Sequence, residues 1–253
     1  MHTPIRQDET LDKLPGNMQI LQKTKGYRFS LDALLLAHFV RLRVGEQVLE
    51  MGAGSGVISL LLAGRWERTS VTGIDLQEGL VDMALRSIAL NGLYERVNMR
   101  HGDVRKIKMI FPPRSFDVVV SNPPYRKMNS GRINPDREKA LARHELAGTV
   151  RDFLQAAAYV LKPAGRAYFI YPASRMVELL SSMREARVEP KRLRPVYSRA
   201  GTAGQFLLTE GLREGGEELE VMPPLFVFGE KEDYSEEMTG IFRELSAPGF
   251  CVR

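Results

Sequence analysis

The chain has 253 residues, 43% of them hydrophobic and 26% charged, with a net charge of +5. That balance supports a folded core and excludes a disordered or fibrous chain. A single cysteine rules out a disulfide framework, four histidines show no zinc-ligand spacing, and no run of 18 apolar residues exists, so the expectations are no metal, no membrane and a cytoplasmic location.

The N-terminal stretch MHTPIRQDETLDKL is mixed polar and lacks the apolar run of a signal peptide. SLDALLLAHFVRL (30–42) predicts a helix with Asp32 in its first turn, where a carboxylate suits the helix N-terminus. From residue 46 strand and helix patterns alternate. EQVLEM (46–51) is a short apolar strand, followed by the turn GAGSG and the helix VISLLLAGRW. SVTGID (70–75) is the next strand. LQEGLVDMALRSIALNG carries apolar residues at helical spacing and stops at Asn91-Gly92. VNMRHGD (97–103) and FDVVVS (116–121) are strands. TVRDFLQAAAYVLKPAG reads as a helix ending at Pro163-Gly165, RAYFIYP (166–172) as a strand, and SRMVELLSSMREAR (174–187) as a helix capped by Ser174. KRLRPVYS and GQFLLTEGLRE close the series as strands. Repeated β-α units with near-continuous apolar strands predict an α/β fold: a parallel, Rossmann-like sheet of seven strands with helices on both faces. The expected organisation is an N-terminal segment (1–44), a main domain (45–229) and a C-terminal tail (230–253) packed on or near it.

Ligands of such sheets bind at the carboxyl ends of the strands. In VLEMGAGSGVISL, Gly52, Gly54 and Gly56 bring backbone close to a ligand. The spacing is G-x-G-x-G. Val57 stands where a dinucleotide fingerprint wants a small residue, and Glu50 would repel a pyrophosphate, so a dehydrogenase is disfavoured. Glu50 suits a cationic ligand instead. Asp75 at the end of the second strand suits ribose hydroxyls, and Asp103 at the end of the third suits an adenine amino group. A ligand cationic at one end, ribose-bearing in the middle and adenine at the other is S-adenosylmethionine.

In SNPPY the prolines fix the backbone after the fourth strand. The Asn122 amide oxygen and the Pro123 carbonyl can then accept from one planar NH₂ group, and Tyr125 offers a ring for a flat substrate. The motif fits adenine N6, guanine N2, cytosine N4 or a glutamine amide. Two basic stretches follow. Residues 126–143 carry Arg126, Lys127, Arg132, Arg137, Lys139 and Arg143 against two acids, and 184–199 again six cations against two. The first adjoins NPPY and is a candidate contact for RNA phosphates.

These motifs resemble class I S-adenosylmethionine-dependent methyltransferases with an NPPY motif. The opening ETLDKLPGNMQILQKTKGYRFSLDALLLAHF, the segment ARHE (142–145), AGTAGQFLLTEGLREGG and PPLFVFGEKEDYSEEM make the chain similar, within that class, to the bacterial adenine-N6 methyltransferases of valine tRNA. The resemblance implies S-adenosyl-L-methionine as cofactor and S-adenosyl-L-homocysteine as product. It places Glu50, Gly52, Ala53, Gly54, Gly56, Asp75, Leu76, Asp103, Val104 and Asn122 at the cofactor. Tyr27, Ser30 and Asp32, in the opening segment, would close over its methionine end. Asn122, Pro123, Pro124 and Tyr125 would hold the target base. It implies tRNA as the partner. NPPY is shared with other methyltransferases, so rRNA guanine N2, DNA adenine N6 and release-factor glutamine stay as alternatives, with a non-catalytic cofactor-binding RNA chaperone as the reading from another class. His144-Glu145 belongs to the shared pattern without an evident role.

Overall fold

The computed structural model describes residues 5–25, 28–125, 148–230 and 232–247. A hairpin of β1 (Glu9–Lys13) and β2 (Gln19–Lys23) leads into α1 (Leu31–Phe39). The main alternation is β3 (Gln47–Met51), α2 (Val57–Arg65), β4 (Ser70–Asp75), α3 (Glu78–Leu90), β5 (Val97–His101) and β6 (Phe116–Ser121). After the undescribed stretch come α4 (Val150–Val160), β7 (Leu161–Pro172), α5 (Met176–Glu185), β8 (Val188–Tyr197) and β9 (Gly204–Arg213). The short strands β10 (Glu220–Val221) and β11 (Leu225–Phe226) and the helix α6 (Glu236–Ser246) complete it.

The main sheet runs β10-β8-β9-β7-β6-β3-β4-β5, with β11 also on β8. The seven expected strands all form, but the sheet has nine, because β10 and β11 add two-residue pairings along the β8 edge. It is also not wholly parallel: β9 runs antiparallel to both β7 and β8. A long β8–β9 hairpin, rather than a helical crossover, closes this side.

Alternation along each strand feeds two cores. Val48, Val118, Val120, Tyr168 and Ile170 face α1, α2, α3 and α6, whereas Leu49, Met51, Val119, Phe169 and Tyr171 face α4 and α5. Covering both faces explains why the strands read as unbroken apolar runs. α1 is buried nearly all round, including Asp32.

Three local expectations need correction. The helix expected to reach Gly165 stops at Val160, and Leu161 already pairs with Phe116 in the sheet. Pro163 disfavours the helical conformation at Lys162, and Ala164 has a positive φ of 56°, so the stretch extends. Ser174 does not cap α5: it lies inside a 3-10 turn, Ala173–Arg175, and Arg175 holds the cap position. The third strand ends at His101, two residues before Asp103, and Asp103 instead caps a 3-10 turn over Val104–Met109. The Asn91 stop holds, and its side chain does more. Its amide accepts from Gln19 N (2.9 Å) and donates to Gln19 O (2.7 Å), clamping the N-terminal hairpin to α3. Ser87 Oγ accepts from Leu21 N, and the buried Glu9 receives both terminal nitrogens of Arg86.

Candidate active site

β3, β4 and β6 are adjacent and parallel, so their carboxyl ends open on one side. Each contributes a residue foreseen from sequence: Glu50, Asp75 and Asn122. Between β3 and α2 the chain turns through three left-handed glycines, Gly52 (φ 71°), Gly54 (55°) and Gly56 (83°). A Cβ on Gly52 would sit 3.3 Å from the Phe153 ring, and one on Gly56 3.2 Å from Ala84 Cβ. The turn therefore needs glycine for conformation and for space. It is pinned to β4: Gly52 N and Ala53 N both donate to Ile74 O, and Gly54 N donates to Asp75 Oδ2 at 2.8 Å. Asp75 thus fixes the turn while its other oxygen accepts from Gln77 N.

Glu50 is 2% exposed, and its carboxyl accepts from the backbone N and the hydroxyl of Ser59 on α2. Burial pushes its pKa up to about 8, with the neighbouring charge of Asp75 adding to the rise, while the Ser59 hydrogen bonds oppose it. Burial raises Asp75 as well. Glu50 held neutral by burial, with a second buried acid beside it shifted in the same direction, makes a site that favours positive charge.

Asp103 is shaped differently. Arg105 grips both its oxygens, at 2.7–3.1 Å, and holds its pKa below the ordinary value. A carboxylate has about four acceptor positions, so Arg105 and a further donor can share it. Val104 is buried beside it. Leu76 presents its carbonyl to His101 Nε2 at 3.0 Å.

The opening segment reaches this site through α1. Asp32, 5% exposed, accepts from Ser30 Oγ and from its neighbour Ala33 N through Oδ1, and from Asn122 Nδ2 through Oδ2 at 3.0 Å. A carboxylate cannot donate, so this bond orients the Asn122 amide: its NH₂ faces Asp32 and its oxygen is left for another donor. Pro123 and Pro124 are buried and Tyr125 is half-buried. The Tyr125 ring meets Phe206 edge-on at 6.3 Å, and its carbonyl accepts from Arg175 Nη1 at 2.6 Å. Glu50, Gly52, Ala53 and Asn122 line one cleft, together with Phe29, Ser55 and Ile58.

Sequence reasoning missed several of these partners. Nothing in the strand-helix pattern marks Ser59 as the donor to Glu50, Phe206 as the neighbour of Tyr125, or Arg175 as the anchor of its carbonyl. Tyr27, the six cations of residues 126–143 and His144-Glu145 lie outside the described residues. Among the described residues no group of acids, histidines or cysteines is arranged to hold a metal ion, and no helix is long and apolar enough to cross a membrane.

Residues 48–165 match the family described as "Methyltransferase domain". A tRNA1(Val) (adenine(37)-N6)-methyltransferase of Vibrio vulnificus is 28% identical over 197 residues, covering 69% of this chain and 80% of that protein. One from Porphyromonas gingivalis is 30% identical over 176 residues, covering 63% of this chain and 68% of that protein. Among solved structures, a predicted O-methyltransferase from Agrobacterium tumefaciens superposes with a TM-score of 0.71 at 19% identity, over 88% of this chain and all of that one, and so shares the fold. With Glu50, the glycine turn and the oriented Asn122 in one cleft and Asp75 pinning that turn, these likenesses show that the chain belongs to the family of tRNA1(Val) (adenine(37)-N6)-methyltransferases, within the class I methyltransferases.

Proposed function

We propose that this protein transfers a methyl group from S-adenosylmethionine to the N6 amine of adenine in tRNA, at adenine 37 of valine tRNA as in its named relatives. The observation that carries the reading is the oriented Asn122 amide, held by Asp32 in the cleft that Glu50 and the glycine turn also line.

The residues fit that cofactor. Left-handed glycines leave room where a Cβ would intrude, and the buried Glu50 and Asp75 favour a ligand that brings positive charge and hydroxyl donors. Bound there, S-adenosylmethionine supplies an electrophilic methyl group on a sulfonium. In this reading the same residues bind it as the sequence suggested: Glu50, Gly52, Ala53, Gly54 and Gly56 at the methionine end, Asp75 and Leu76 at the ribose, Asp103 and Val104 at the adenine.

The chain's own work is positioning. Asn122 Oδ1 and the Pro123 carbonyl accept the two N6 hydrogens, which draws the lone pair out of the ring plane and aims it at the methyl carbon. The N–C bond forms as the C–S bond breaks, and N6 then releases one proton. No strong base is needed for the attack, and alignment supplies most of the rate. Tyr125 provides the stacking face, and residues 126–143 meet tRNA phosphates. Residues 1–44 close the methionine end, residues 45–229 form the catalytic domain, and 230–253 brace it. Such a substrate implies work in the cytoplasm.

The test is chemical. Unmodified tRNA is incubated with the protein and methyl-labelled cofactor, then digested to nucleosides. Label in N6-methyladenosine is expected. Label in methylguanosine, or transfer to DNA or to a protein glutamine with none to tRNA, would overturn the assignment.

A further inference from the structure

The second basic stretch is largely consumed inside the fold. Arg184 pairs with Glu189 and Glu217, Arg192 with Glu210 and Glu220, and Arg194 with Glu237. Lys191 Nζ donates to the carbonyls of Gly216 and Glu217. Arg199 differs. Among the described residues its guanidinium meets no carboxylate, and it lies instead over the Phe228 ring, 5.6 Å from the centroid. Its backbone is fixed by a tight turn in which Thr202 N and Thr202 Oγ1 both donate to Arg199 O.

This cation stands on one wall of a cleft of about 500 Å³, lined also by Phe226, Phe228 and Glu230. The aromatic wall is two rings deep. Tyr234 stacks on Phe228 at 5.4 Å and 11°, and Tyr197 lies 5.7 Å from Phe226. The cleft is separate from the one lined by Glu50 and Asn122, yet strand direction puts both at the same end of the sheet. β8 and β11 are parallel to each other, and β9 is antiparallel to both β8 and β7, so Tyr197 and Phe226 end level with the start of β9. There Phe206, two residues into β9, touches Tyr125. β8 lies three strands from β6, whose end carries Asn122, about 14 Å at the usual strand spacing.

We infer that this cleft is a second nucleotide subsite, which takes an unpaired nucleotide of the RNA close to the target adenine, its base against Phe226 and its phosphate on Arg199. The inference rests on the tRNA reading above. An aromatic ring beside a cation that meets no carboxylate among the described residues matches a nucleotide: the base has the π-face and the phosphate the charge. Glu230, which also lines the cleft, disfavours a phosphate near it and so confines the phosphate to the Arg199 side. Anchoring a neighbouring nucleotide also helps hold the target base unstacked, because the strand is then fixed at two points rather than one.

The test compares Arg199→Gln and Phe226→Leu with the parent enzyme in methyl transfer to an unmodified valine tRNA transcript. Each variant is expected to raise KM for tRNA about tenfold, with kcat within twofold and cofactor affinity, read by calorimetry, unchanged. Arg199→Gln alone should also lower the slope of log affinity against log salt by about one, as loss of one phosphate contact requires. Arg199 sits in an exposed turn, so this variant decides the matter even if Phe226→Leu lowers the melting temperature. Unchanged KM and salt slope in Arg199→Gln would overturn the subsite while leaving the tRNA assignment intact. So would a fall in kcat at constant KM. A parent enzyme that transfers nothing to tRNA would overturn both.

Discussion

Replacing Glu50 with Gln tests the electrostatics of the site directly. Glu50 is fully enclosed, and its carboxyl titrates at about 8 in the folded chain against an ordinary 4.5. Below pH 4.5 both folded and unfolded chains hold the proton, and burial of the group costs no ionisation energy. As pH rises from 4.5 to about 8 the unfolded chain gives up its proton while the folded one keeps it, so stability falls throughout that window and then levels off. About three and a half pH units at about 1.4 kcal/mol each gives roughly 5 kcal/mol at the plateau. Glutamine cannot ionise and still accepts from Ser59, though a neutral acceptor is weaker by about 1 kcal/mol. The variant should therefore match the parent at pH 5 to within about 2 kcal/mol and exceed it by roughly 3–4 kcal/mol at pH 8.5. For a chain of this size that is about 6–16 °C in melting temperature. Calorimetric melting without added cofactor at the two pH values reads it out. A difference between variant and parent that is the same at pH 5 and 8.5 would refute a buried neutral Glu50. The gain in stability should be matched by a loss of function, since the variant cannot supply the negative charge a sulfonium and an ammonium favour: its affinity for S-adenosylmethionine should fall at least tenfold. In the parent, cofactor binding at pH 7 should release protons, measurable as an enthalpy that changes with the ionisation heat of the buffer.

Asn122→Ala should cut kcat by about a hundredfold or more while leaving cofactor affinity within a few-fold, because it removes the acceptor that aligns the amine; loss of binding with activity retained would contradict the assigned role. Asp32→Asn should also lower kcat, through misorientation of Asn122, and its effect in a double mutant with Asn122→Ala should largely vanish, a non-additivity that a purely structural Asp32 would not show. Gly56→Ala meets both a left-handed φ of 83° and Ala84 Cβ at 3.2 Å, and should destabilise by about 1–3 kcal/mol in denaturant titration. Asn91→Ala removes the two-point clamp on Gln19, and should raise hydrogen exchange or proteolysis across residues 9–23 before it lowers global stability much.

By itself the sequence determined the strand-helix alternation, because apolar period and glycine, asparagine and proline punctuation are local properties of the chain. It also determined which strands would end in acids and in SNPPY, and hence that Glu50, Asp75 and Asn122 share one end of the sheet. Local signals failed where long-range pairing decided. Leu161–Gly165 carries the end of a helical pattern, yet pairing of Leu161 with Phe116 makes it strand. The two-residue strands β10 and β11 exist only because the β8 edge is there to pair with. The second basic stretch read as one patch of charge, and only packing showed that Arg184, Arg192 and Arg194 each face a carboxylate from another part of the chain while Arg199 faces a ring. The tertiary structure alone brought Asp32 to Asn122 across 90 residues and buried Glu50 against Ser59, which pushes the pKa of that acid up to about 8. Orientation of an amide and the proton on a carboxyl depend on which groups surround them, and that is a property of the packed chain.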